Sequence, residues 1–63
     1  MNKSELIAEF IDENNLYTDP SRHIAKLVLK KYPQEFGEYN DPNIDLARKL
    51  VRRIRWSNGS DAS

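Results

Sequence analysis

The chain has no cysteine and a single histidine. Without thiols there is no disulfide framework and no thiolate metal site, and His23 alone cannot provide the paired spacing of a zinc centre. Glycine is scarce, and Gly37 and Gly59 stand apart, so no glycine-rich loop exists to cradle a nucleotide phosphate. No apolar run approaches the roughly 20 residues that span a bilayer, and the start, Met1-Asn2-Lys3-Ser4-Glu5, turns acidic at once. The expectation is a soluble cytoplasmic protein that uses no cofactor and no membrane. Net charge is also missing, with ten Lys and Arg against ten Asp and Glu.

What is present is a segregation of that charge. Residues 1–20 carry Lys3 against Glu5, Glu9, Asp12, Glu13 and Asp19, whereas residues 48–56 carry Arg48, Lys49, Arg52, Arg53 and Arg55 and no acid. The dipolar arrangement therefore informs on partners where the net charge does not. A chain of 63 residues makes one small domain that buries only about 60% of its unfolded surface. Its stability must come from helix packing.

Three amphipathic segments supply that packing. Leu6, Ile7, Phe10 and Ile11 recur at helical spacing and predict a first helix over about 4–14, ended by Asn14-Asn15, with Leu16 and Tyr17 tucked back onto the core. Asp19-Pro20-Ser21 predicts a second helix over about 20–32, with Asp19 as cap and Pro20 at the first helical position. Its apolar set, Ile24, Ala25, Leu27, Val28, Leu29 and Tyr32, covers more than half of the circumference, as a central helix requires. Pro33 interrupts it, and Gln34-Glu35-Phe36-Gly37 reads as a closing turn that brings Phe36 to the core. Asp41-Pro42 repeats the start signal before a third helix over about 42–56, and residues 58–63 read as a polar tail or linker to a further domain. The predicted fold is all-α, a small three-helix, helix-turn-helix-like bundle over residues 1–57. The two Asp-Pro starts align at an offset that pairs Ile24 with Leu46 and Ala25 with Ala47, which reads as one helix grammar used twice rather than a duplication.

Enzymatic chemistry finds no footing. His23 sits in a first helical turn with no nucleophile pattern around it, and Asp12 and Glu13 point to adjacent sectors of a solvated acidic face. No catalytic residue is assigned. The third helix offers more, because Ile44, Ala47, Leu50, Val51 and Ile54 share one arc while its cations occupy the other. Arginine forks suit phosphates and the O6 and N7 edge of guanine. Arg48, Lys49, Arg52, Arg53, Arg55 and Trp56 are therefore the candidate nucleic-acid-binding residues, with Arg48, Arg52 and Arg55 as the contact stripe. Arg22 and Lys26, together with Lys30 and Lys31, would touch flanking backbone. Trp56 can stack on arginine stems or lie against a sugar-phosphate backbone. A plain solvated face, paired with the acids of the first helix, is the competing reading. A protein-protein interaction or targeting surface is another.

The residues Pro20-Ser21-Arg22, Ile24-Ala25, Tyr32-Pro33-Gln34-Glu35-Phe36, Ala47-Arg48, Val51-Arg52 and Arg55 through Gly59 form a series. It resembles the N-terminal helix-turn-helix-like module that precedes calcineurin-like metallophosphoesterase domains in phage and prophage proteins of Bacteroidetes-type hosts, over roughly residues 16–59. The chain departs from that pattern at Trp56-Ser57-Asn58, where the module has glycine after the last arginine, and in a longer loop from Gly37 to Asn43. The resemblance implies binding to DNA by a module fused to a catalytic domain outside this chain. The expected partner of the basic helix is DNA, duplex rather than single strand, bound by a monomer. None of the phosphoesterase metal ligands has a counterpart here.

Overall fold

The computed structural model describes residues 2–57, with side chains described as far as Arg55. The predicted tail at 58–63 and the Trp56 side chain lie outside the described residues. Among the described residues four helices follow one another: α1 (Lys3–Glu13), α2 (Ser21–Lys31), α3 (Pro33–Phe36) and α4 (Asp41–Ser57). The chain is thus an all-α helical bundle, with one element more than the periodicity predicts. The extra element is a single turn after Pro33, closed where the amides of Phe36 and Gly37 donate to the carbonyls of Tyr32 and Pro33 at 3.1 and 2.9 Å.

Helices α1 and α4 start where an asparagine oxygen meets an orphan amide, in α4 one residue before the expected Asp41. Asn2 accepts the Glu5 N–H at 2.8 Å, so α1 begins at Lys3, one residue before the expected start. Asn40 accepts the Asn43 N–H at 2.9 Å, leaving Asp41 and Pro42 inside the first turn of α4. Asp19 does not cap α2. Pro20 occupies that boundary with no side-chain bond, and Asp19 turns instead to His23, with 3.6 Å between its Oδ2 and Nε2.

The end of α1 follows the expected signal closely. Asn15 adopts φ 53, a left-handed conformation that asparagine tolerates, and the Leu16 amide returns to Ile11 O at 2.9 Å while the Asn15 amide reaches Asp12 O at 3.3 Å. This 6→1 and 5→2 pair is a Schellman closure, and it delivers Leu16 into the core beside Ile11. Tyr17 does not follow. It is 54% exposed, because its hydroxyl donates to the Asp12 carboxylate outside the core. That hydrogen bond, then burial and the negative charge of Asp12, raises the Tyr17 hydroxyl above its ordinary pKa.

Two apolar clusters share the interior. Ile7, Phe10, Ile11 and Leu16 meet Ile24, Val28, Val51 and Ile54, while Ala25 and Leu29 meet Ile44 and Ala47. The alanines at equivalent positions of α2 and α4 let these two helices approach closely. They run antiparallel, since Leu29 near the end of α2 packs with Ile44 near the start of α4, and Arg55 near the end of α4 reaches Ser21 at the start of α2. Phe10, Tyr32 and Phe36 close one end of the bundle, with ring centroids 6.1 Å apart for Phe10 and Tyr32 and 6.4 Å apart for Tyr32 and Phe36. Ile24 is fully buried whereas Leu46, its partner in the Asp-Pro alignment, is 59% exposed. The two starts therefore share a grammar and not an environment.

Gly37 fixes the approach to α4. Its φ of 100 disfavours any side chain, and a Cβ there would lie 2.7 Å from Asn43 Nδ2. That amide nitrogen donates to Glu38 O at 2.8 Å, which pins the loop onto the first turn of α4.

Candidate nucleic-acid interface

Helix α4 has a buried arc, formed by Ile44, Ala47, Val51 and Ile54, and two edges on either side of its exposed arc. At about 100° per residue, Arg48 and Arg52 fall on one edge, towards α2. Leu46, Leu50 and Arg53 fall on the other, towards α1. Lys49 lies between them.

On the α2 side, Asp45 organises the cations. Arg48 donates to Asp45 Oδ1 at 2.7 Å through Nη2 and at 3.3 Å through Nε, and Lys49 Nζ stands 3.8 Å from Oδ2. The hydrogen bond from Arg48 holds the Asp45 carboxyl below the ordinary carboxylate range. Partial burial opposes this, and the charges of Arg48, Lys49 and Arg22 reinforce it. Arg22 of α2 thus acts on the same carboxylate as two residues of α4. Lys26 lies one helical turn beyond Arg22. Arg22, Lys26, Arg52 and Arg53 make no ion pair among the described residues.

Arg55 stands apart from this group. One Nη donates to Asp19 O at 2.6 Å and Ser21 Oγ at 3.3 Å, and the other donates to Tyr17 O at 2.7 Å. The guanidinium therefore ties the end of α4 to the α1–α2 connection and satisfies two loop carbonyls, so the predicted stripe of Arg48, Arg52 and Arg55 is reduced to its first two members. Lys30 and Lys31 are also placed differently from expectation. They lie at the far end of α2, with Lys30 Nζ 5.7 Å from the Tyr39 ring centroid and Lys31 Nζ 5.8 Å from those of Phe10 and Tyr32.

The pairing of α1 acids with α4 cations that the competing solvated-face reading allowed is not found among the described residues, whose ion pairs join Asp45 to Arg48 and Lys49, while Asp19 lies against His23. Glu5, Glu9, Asp12 and Glu13 lie exposed on α1. No three His, Asp or Glu side chains converge on a possible metal position among the described residues, and no helix there is long and apolar enough to cross a membrane.

Sequence reasoning did not single out Leu46. With Leu50, Lys3, Lys49 and Arg53 it lines a cleft of about 310 Å³. The signal was present, because at about 100° per residue an aliphatic residue falls between Arg53 and Leu50, beside the cations. Set against family models, curated proteins and solved structures, the chain matches none.

Proposed function

We propose that the domain binds DNA, duplex in preference to single strand, through the α2-side edge of α4. The observation that carries this reading is the convergence of Arg22 of α2 with Arg48 and Lys49 of α4 on the Asp45 carboxylate, with Lys26 and Arg52 each one helical turn further along, beyond Arg22 and Arg48. Helix α4 has 17 residues and so extends about 25 Å, and a helix of that kind fits the major groove. Arg52, which makes no ion pair among the described residues, is the donor available for a phosphate or a guanine edge. Asp45 holds Arg48 in one orientation and takes up part of its charge. Arg22 and Lys26 reach flanking phosphates, contacts that set register without reading sequence.

In this reading the module is helix-turn-helix-like only in its order of elements. The connection between α2 and α4 spans residues 32–40 and contains α3, where a DNA-reading pair has a tight turn, so α4 meets DNA along its outer edge. The resemblance to phosphoesterase-associated modules extends the proposal to a cytoplasmic phage-type protein in which this domain anchors a catalytic domain on DNA.

A fluorescence titration of labelled duplex tests it. Neutralising about four phosphates gives a slope near −3.6 for log K against log salt, at about −0.9 per phosphate. Arg52→Ala reduces that slope by about one phosphate while leaving the thermal midpoint nearly unchanged. Absence of binding at high micromolar protein in low salt overturns the proposal.

A further inference from the structure

The opposite edge of α4 has a different chemistry. Leu46 is 59% exposed, Leu50 is half-buried with its inner side against the core, and these residues, one turn apart, form the floor of the cleft. Lys3, Lys49 and Arg53 complete its lining, and no acid takes part. At about 310 Å³ the cleft matches the lower end of ligand-sized pockets, which start at about 300 Å³. Phosphates would satisfy such a rim but leave the leucine floor wet. A plain hydrocarbon would cover the floor but leave three cations without counter-charge.

We propose that this edge docks an acidic amphipathic segment of a partner protein, which seats an aliphatic side chain on Leu46 and Leu50 and sets carboxylates against Lys3, Lys49 and Arg53. Charge complementarity selects this occupant, because it meets the apolar floor and the cationic rim together. The mode is a helix or short peptide laid in a groove, with anchors spaced at i and i+4 to match the two leucines. Lys49 also stands 3.8 Å from Asp45, so Lys3 and Arg53 are the stronger rim charges. The site shares only Lys49 with the DNA-binding edge, which otherwise draws on Arg22, Lys26, Arg48 and Arg52.

The test titrates the isotope-labelled domain with a synthetic helical peptide carrying leucines at i and i+4 flanked by glutamates. Two control peptides replace the glutamates by lysines or the leucines by serines. Saturable shifts at Lys3, Leu46, Lys49, Leu50 and Arg53 with the glutamate peptide alone are expected. Leu46→Ser and, separately, Arg53→Glu should each weaken binding about fivefold or more. Both positions are exposed, so the spectra of the variants outside the cleft should match the parent. The proposal is overturned by no shift at millimolar peptide, by an equal response to either control, or by indifference to both substitutions. Concentration-dependent shifts of the cleft in the domain alone also overturn it, since they assign the cleft to a second copy.

Discussion

The two edges of α4 are drawn from one helix, yet they are built on opposite principles. On the α2 side, charges are held by other charges: Arg48 is fixed by Asp45, and Arg22 adds its field from the neighbouring helix. On the α1 side, Lys3 and Arg53 surround two leucines and answer to no acid among the described residues. The first edge is polar and organised before any ligand arrives, as a surface that positions phosphate donors requires. The second leaves apolar area in water, which a solvated face gains nothing by doing. A cluster of positive charge on one helix is therefore not one surface, and its neighbours decide what each part can meet.

Substitutions separate the edges from each other and from the scaffold beneath them. The largest effect belongs to Arg55, which lies on neither. Arg55→Ala removes charge-assisted bonds to Tyr17 and Asp19 carbonyls and should cost about 1.5–3 kcal/mol in urea unfolding. Arg55→Lys should restore little, because an ammonium lacks the planar fork that spans two carbonyls. Parent-like stability of Arg55→Ala would return Arg55 to the ligand-binding group.

Leu50 comes next. From its place on the apolar arc alone, Leu50→Ala should cost about 2–5 kcal/mol, the range for a buried leucine. Its half-buried position lowers the expectation to about 1–2 kcal/mol, with Leu46→Ser within about 0.5 kcal/mol of the parent. Equal costs for the two leucines, measured by thermal melts, would mean that the cleft is part of the core.

The smallest effect is that of Asp45. Its folded pKa lies below its unfolded value, so its contribution to stability is present above about pH 3.9 and is lost as pH falls through the folded value. Melts of the parent and Asp45→Asn should therefore differ slightly at neutral pH and converge in acid. A difference that widens in acid would show that Asp45 does not organise the edge.

The helices and most of the core were legible because they depend on local periodicity: Ile7, Phe10 and Ile11, the α2 quartet from Ile24 to Leu29, and Ile44, Ala47, Val51 and Ile54 all face inward as their spacing predicts. Caps were less legible, since aspartate and asparagine oxygens are equivalent on paper and only the folded chain shows that Asp19 faces His23 while Asn40 faces an amide. Arg55 was illegible for a different reason. Its acceptors are backbone carbonyls more than thirty positions away, and carbonyls carry no sequence signature. Leu46 was visible but looked ordinary, because single exposed leucines are common, and it gains meaning only beside Leu50 and Lys3.

The division of α4 into two edges is tested most directly by mapping amide shifts of the labelled domain on addition of a short DNA duplex at low salt. The account predicts that Arg22, Lys26, Arg48, Lys49 and Arg52 shift in a saturable, salt-sensitive way while Lys3, Leu46 and Leu50 stay in place. Shifts centred on Lys3, Leu46 and Leu50, or no shifts at all, would contradict it.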